Sequence, residues 1–272
     1  MIEFKKAIEK DKEVILKLLY NDDPIQYLFL ISDIEEFGLH SEVTETYFVD
    51  EYKVIIMRFY NNLLIYSKED FKFNIYSLIK FIKDKKIKNI IYSSTIRNDL
   101  EIAMTNNFNN FRVREEYILK INKEKFYDLN NLEDLSSKII EEKDLQNVIN
   151  SRKRIKEFEG LSSQALDIDY LKTSLNKGYY KGFIKYENDI VISHASVSAQ
   201  IKNVAMLGGV FTLEEYRKKG HAKDCVLKLS DYLLKNNYTP VLFFDNPHAG
   251  NLYYKLGFED YSRLFVISID DY

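Results

Sequence analysis

Arg217, Gly220 and Ala222 stand close together, with Lys218, Lys219 and His221 filling the gaps, directly behind a predicted strand ending at Thr212 and ahead of a predicted helix. A strand that enters a glycine-containing loop and opens a helix is where an anion binds. The first N–H groups of an α-helix lack intrahelical partners and sit at the positive end of its dipole, so a phosphate there gains hydrogen bonds and favourable charge together. Gly220 lets the backbone come close, Ala222 keeps the next turn narrow, Arg217 can reach back to a phosphate oxygen, and Lys218 and Lys219 add positive potential. His221 holds the variable position of the loop. The whole suits a pyrophosphate.

The elements that must position this loop follow from periodicity. In the second half of the chain the pattern predicts helices near 143–157, 167–177, 217–236 and 247–256, and strands near 179–186, 189–200, 203–212, 239–244 and 259–269. Glu187-Asn188-Asp189 and Ile201-Lys202-Asn203 separate successive apolar runs as antiparallel turns do. Gly208 and Gly209 are unusual inside a strand. They mark either a bulge that another backbone approaches or a relief of crowding in the sheet.

Arg217-x-x-Gly220-x-Ala222 resembles the acyl-CoA pyrophosphate loop of the GCN5-related N-acetyltransferase (GNAT) family. Asn251-Leu252-Tyr253-Tyr254-Lys255-Leu256-Gly257-Phe258 is similar to that family's second motif, usually asparagine-x-x-alanine and then leucine-tyrosine-x-lysine-leucine-glycine-phenylalanine. Two motifs in the right order are far more specific than either alone. The resemblance covers roughly the C-terminal half. It implies acetyl-CoA as cosubstrate, with backbone groups of Val210, Phe211 and Thr212 pairing with the pantetheine arm and one amide polarising the thioester carbonyl. Residues 217–222 would hold the diphosphate. Asn246 and Asn251 are expected to hydrogen-bond the arm or its neighbouring backbone, although Asn246-Pro247 also reads as a helix cap followed by proline at the first helical position.

Amide formation needs a held thioester, a neutral amine, oxyanion stabilisation and a proton for the departing sulfur. Tyr253 takes the position of the family tyrosine that acts as general acid toward the sulfur. An amine with a pKa of about 8–10 must lose a proton before it attacks, so a base is wanted. His194, amid Val191, Ile192, Ala195 and Val197, is one candidate, or else a hydrogen-bonded sheet residue. Glu157 and Glu159, before Gly160, are the others, able to bind a cationic amine or to act through water. His40 and His248 have no supporting constellation.

The first half repeats the element order. Predicted strands at 45–50, 53–60 and 63–66 precede a helix at 74–85, a strand at 89–93, a helix at 98–107 and a strand at 111–121. Superposing the two halves on Phe108 and Phe258 puts Ala103 opposite Tyr253. Before the first of these helices, Ser67-Lys68-Glu69-Asp70-Phe71-Lys72-Phe73-Asn74 has no glycine and two acidic side chains where phosphate would sit. The expectation is therefore an α/β (α+β) chain of tandem GNAT-like domains, each a mixed, mainly antiparallel twisted sheet flanked by helices. Residues 1–125 would form a degenerate domain that binds no coenzyme, residues 126–272 the catalytic one, and 122–142 the connector.

Bulk properties narrow the class. The net charge of -3 and pI near 5.9 argue against nucleic acid, and the Lys83–Lys88 cluster reads as a solvated helix end. The single cysteine, Cys225, excludes an intramolecular disulfide and falls at helical spacing with Ala222, Val226, Leu229 and Leu233, as a core residue would. Four scattered histidines offer no metal site, and no stretch approaches the ~18 apolar residues of a membrane helix. A cytoplasmic monomer is expected, its two halves paired like the subunits of a single-domain relative. These readings converge on an acetyl-CoA-dependent N-acetyltransferase acting on a primary amine of a small molecule by direct attack in a ternary complex. Aminoacyl or peptidyl transfer, thiol-cofactor biosynthesis and a non-catalytic acyl-CoA sensor are the alternatives.

Overall fold

In the computed structural model of the chain, residues 4–69, 73–158, 163–245 and 247–270 are described. The chain divides into two compact units, residues 1–118 with 261–272, and residues 119–260.

The first unit runs β1 (Lys5–Lys6), α1 (Lys12–Asp22), α2 (Leu28–Phe37), β2 (Thr44–Val49), β3 (Val54–Phe59), β4 (Asn62–Ser67), α3 (Ile75–Asp84), β5 (Asn89–Tyr92), α4 (Arg97–Asn107) and into β6 (Phe111–Ile121). Strands β1 to β4 pair antiparallel in sequence order, and β4 pairs parallel with β5. The far edge of β5 is taken by the end of the chain, from Phe265↔Tyr92 to Ser268↔Asn89. A single cut at 125/126 misses this return, because strand pairing is non-local and residues 261–272 have no sequence mark tying them to β5.

The second unit runs α5 (Lys123–Leu129), β7 (Lys138–Ile139), α6 (Leu145–Arg152), α7 (Ile168–Asn176), β8 (Gly182–Glu187), β9 (Ile190–Ile201), β10 (Val204–Thr212), α8 (His221–Lys235), β11 (Thr239–Phe244), α9 (Pro247–Lys255) and into β12 (Phe258–Ile269). Strands β7 to β10 pair antiparallel in order, and β10 pairs parallel with β11. Both units are thus mixed and mostly antiparallel sheets flanked by helices. The apolar stripe of α8, with Cys225, Val226, Leu229 and Leu233, packs in one cluster with Ala195, Val197, Ala205, Leu207 and Leu242 from the sheet. Each such leucine contributes about 1.5–3 kcal/mol relative to exposure. Burial pushes the Cys225 thiol up to about 12, so it stays protonated as a packing residue. Among the described residues no helix is long and apolar enough to cross a membrane.

The repeat reaches atomic detail at a place that element order alone does not reveal. Glu9-Lys10-Asp11 and Glu142-Lys143-Asp144 form the same short 3-10 turn ahead of α1 and α6. Asp11 accepts from the Ile8 N–H at 2.7 Å and the Tyr52 hydroxyl at 2.7 Å; Asp144 accepts from the Glu141 N–H at 2.9 Å and the Tyr186 hydroxyl at 3.0 Å. Helices α1, α2 and α5 lie in stretches for which the sequence pattern predicts no element. The helix anticipated from 217 starts instead at His221, because Lys218 (φ 64°) and Gly220 (φ 83°) adopt left-handed conformations that an α-helix excludes. The long helix expected over 143–157 ends at Arg152, with 3-10 turns at 142–144 and 156–158.

Candidate active site

Strand β10 pairs with β11 from Val204↔Thr239 to Leu207↔Leu242, but stays paired with β9 as far as Thr212↔Ser193. The two parallel strands therefore part after Leu207, and Gly208, Gly209 and Val210 lie half-exposed along the opening. Between Gly208↔Ser196 and Phe211↔His194, β10 advances three residues while β9 advances two, a β-bulge. The glycine pair divides the two roles open to it. A Cβ on Gly208 would lie 2.4 Å from Ser198 Oγ, so this glycine relieves crowding, whereas Gly209 takes φ 57° and makes the bulge.

The bulge is gripped from beneath. His194 is fully buried, its ring stacked on Phe211 with centroids 5.2 Å apart, and its Nδ1 lies 2.6 Å from the Gly209 carbonyl oxygen. Its Nε2 lies 2.9 Å from the Tyr180 hydroxyl and 3.4 Å from Arg152 Nη2. Arg152 also donates to Tyr180 at 3.1 Å and to the Ala165 carbonyl oxygen at 2.9 Å. Burial, reinforced by the nearby Arg152 charge and only partly opposed by the Gly209 carbonyl, holds the His194 pKa well below its ordinary value. The imidazole is neutral and both its nitrogens are engaged. Read from sequence as a proton acceptor, it presents no open lone pair to a substrate amine.

Beyond the bulge, Thr212 Oγ1 pairs with Ser193 Oγ at 2.9 Å, and the Thr212 carbonyl oxygen accepts from Arg217 Nε at 3.0 Å. Arg217 Nη2 reaches Glu157 at 3.1 Å, so the guanidinium expected to face a phosphate is held by a carboxylate. Lys218 is exposed, and Lys219 places Nζ 5.5 Å from the centre of the Tyr216 ring. Gly220 is the N-cap of α8 and has no side chain with which to cap it. Ala222 is half-buried in the first turn. His221 is half-buried with no hydrogen-bond partner on Nδ1, and burial together with Lys185 and Lys219 lowers its pKa, keeping it neutral. Asp224 closes the first turn inward, accepting from the Ser136 and Ser137 N–H groups at 3.0 Å each and from Lys185 at 2.9 Å. The corresponding helix of the first unit contrasts with this: the Asn74 side chain caps α3 by accepting from the Tyr76 N–H at 3.0 Å. There a side chain satisfies what Gly220 leaves open. The acidic stretch expected before α3 falls partly on residues 70–72, outside the described residues.

Tyr253 lies on α9, 9% exposed, in the same apolar cluster that Val210 and Phe244 pack against. Its ring is 6.1 Å from those of Phe244 and Phe258. Burial alone pushes its phenol up to about 12, so it carries its proton at neutral pH. Tyr254, one residue on, is more exposed and donates to Asp260 at 2.9 Å. Ala103, opposite Tyr253 in the repeat, is likewise buried on its helix, without a phenol. Asn251 is exposed on α9. Asn246 and Glu159 lie outside the described residues. Arg152 and Tyr180 are site residues that residue type does not advertise. The one available signal is that Leu145, Val148, Ile149 and Arg152 share a helical face, which places an arginine on a buried stripe.

Solved structures of similar fold span the whole chain. A Drosophila protein aligns at TM-score 0.68 and 12% identity over 99% of each chain. A GCN5-related N-acetyltransferase-like protein from Streptococcus suis aligns at TM-score 0.63 and 16% identity, over 96% of this chain and 99% of that one. A tandem GNAT protein from the clavulanic acid biosynthesis pathway aligns at TM-score 0.58 and 12% identity over 98% of each. No curated protein matches the chain in sequence. The sequence model of the GNAT acetyltransferases matches residues 46–264, through both units and across the splayed strands, the glycine-capped loop and the α9 tyrosine. Acyl transfer is the general chemistry of that group, and this chain belongs to the GNAT acetyltransferase family.

Proposed function

We propose that the chain transfers the acetyl group of acetyl-CoA directly to a primary amine of a small molecule. The observation that carries this reading is the open amino end of α8, capped by Gly220 rather than by a side chain, at the end of the strand that parts from β11. Family members use acetyl-CoA, and these residues suit it. The first-turn N–H groups from His221 onward, with Arg217, Lys218 and Lys219, would hold the diphosphate, and the edge of β10 at Val210, Phe211 and Thr212 would pair with the pantetheine arm. Asn246 and Asn251 would add hydrogen bonds to that arm.

Acetyl-CoA supplies a thioester, from which the amine forms a C–N bond as the C–S bond breaks. The Val210 N–H stabilises the carbonyl oxygen as charge grows there. Tyr253, protonated because it is buried, gives its phenolic proton to the departing sulfur and recovers one from solvent. Glu159 or solvent takes the proton shed by the amine, since Glu157 is committed to Arg217. Unit one, its α3 capped by Asn74, would take no coenzyme. Release of free thiol from acetyl-CoA against a library of amines tests the reading. Turnover on at least one amine is expected, and coenzyme binding without turnover on any of them would favour a sensor instead.

A further inference from the structure

An arginine buried without a carboxylate is costly, because its lost hydration goes uncompensated by a counter-charge. Arg152 is in that position: 6% exposed, it makes no ion pair among the described residues and gives its N–H groups to a carbonyl, a phenol and an imidazole. Its place in the last turn of α6 offsets part of the charge through the helix dipole. The remainder has a direction. Guanidinium can only donate and a carbonyl oxygen can only accept, so with a neutral imidazole a chain of hydrogen bonds that begins at Arg152 and ends at the Gly209 carbonyl admits one arrangement of protons. Arg152 donates to the Tyr180 oxygen, Tyr180 donates to His194 Nε2, and His194 Nδ1–H donates to Gly209.

In a trans peptide the C=O and the following N–H point in opposite directions. Holding the Gly209 oxygen toward His194 therefore turns the Val210 N–H away from it. Gly209 takes φ 57° at the bulge, and the space beside its Cα is closed by the same residues, since a Cβ there would meet His194 Cε1 at 3.3 Å and Arg152 Nη2 at 3.4 Å. We infer that Arg152, Tyr180 and His194 are positioning residues that lock the Gly209–Val210 peptide plane so that the Val210 N–H is presented to the thioester carbonyl. The assignment rests on the acyl-transfer reading above and deepens it. It separates His194 from the base: its ring works through its Nδ1–H bond and never takes the substrate proton.

Two measurements test it. The first uses the protein alone: 15N chemical shifts of the His194 ring should report the Nδ1–H tautomer, unchanged from about pH 5 to 8. A ring that titrates in that range, or carries its proton on Nε2, overturns the proposal. The second compares His194→Phe with His194→Asn, whose amide N–H can replace the Nδ1–H donor. His194→Phe should lower kcat for acetyl-CoA by about 10- to 100-fold with coenzyme A affinity, by calorimetry, within about twofold of wild type, and His194→Asn should recover most of that loss. If asparagine fails as badly as phenylalanine, or phenylalanine costs nothing, the positioning role is refuted. Should wild type bind no coenzyme A, the acyl-transfer reading falls, and the tautomer measurement distinguishes that failure from a wrong hydrogen-bond chain.

Discussion

Arg217 and Glu157 form an ion pair, with Nη2 3.1 Å from the carboxylate, at the mouth of the loop that should receive a diphosphate. Both side chains are well exposed, so the pair itself is worth at most about 1 kcal/mol. Its effect on a ligand is larger than on the fold, because Glu157 both occupies the guanidinium and repels phosphate. Glu157→Gln is therefore expected to tighten coenzyme A binding about two- to fivefold in calorimetry at low salt. The gain should shrink near 0.5 M salt as screening shortens the reach of the carboxylate. Arg217→Glu should weaken binding by about tenfold or more. Unaltered affinity in both variants would remove the diphosphate from this loop.

Asp224 anchors the first turn of α8 and gives the second unit a pH signature. Burial raises its pKa, but the hydrogen bonds from Ser136, Ser137 and Lys185 outweigh burial and bring it down from 3.8 to about 2. A carboxylate whose folded pKa is depressed stabilises the fold above its unfolded pKa and loses that contribution as pH falls toward the folded value. About 2 kcal/mol should disappear between pH 4 and pH 2. Denaturant titrations of wild type and Asp224→Asn should differ by roughly this amount at pH 7 and converge near pH 2. A gap independent of pH would show that Asp224 is not held as an anion.

Gly257 and Gly178 both have left-handed backbones, at φ 93° and φ 76°, yet only one is confined. A Cβ on Gly257 would lie 2.8 Å from the Phe126 N and 2.9 Å from its Cα, while Gly178 has nothing within 4 Å. Gly178→Ala should cost roughly 1 kcal/mol of backbone strain. Gly257→Ala must also push the backbone of α5 aside and should cost roughly 3 kcal/mol or more. Thermal melts giving equal losses would mean that α5 yields freely at the α9–β12 turn.

What the sequence discloses about this site follows from how local each part is. The loop at 217–222 is legible because one contiguous segment supplies both the glycine cap and the cations, and the α9 tyrosine because its helix keeps a fixed spacing to Gly257 and Phe258. The start of α8 is misplaced by four residues since Lys218 gives no hint of its positive φ. The Arg152–Tyr180–His194 chain escapes notice for a stronger reason. Its members come from α6, from the segment before β8 and from β9, and an arginine beside Lys153 and Arg154 looks like one more solvated cation until α6 is seen to turn it inward. The exchange of the chain's end into the first unit is invisible for the same cause, strand pairing being set by tertiary contact.

Tyr253 separates chemistry from binding. Its phenol, raised to about 12 by burial, stays protonated throughout the range in which an amine can attack, so it should impose no alkaline limb on the rate below about pH 11. Tyr253→Phe keeps the ring that packs with Phe244 and Phe258 and removes only the proton donor. Thiol release should then fall by about 100-fold or more in kcat, while coenzyme A affinity and melting temperature remain close to wild type. A leaving thiol with a low pKa needs less help, so an acyl donor built on an acidic aryl thiol should recover part of the lost rate in the variant. Equal losses for both donors would assign Tyr253 to packing, and the proton for the sulfur would have to come from another group.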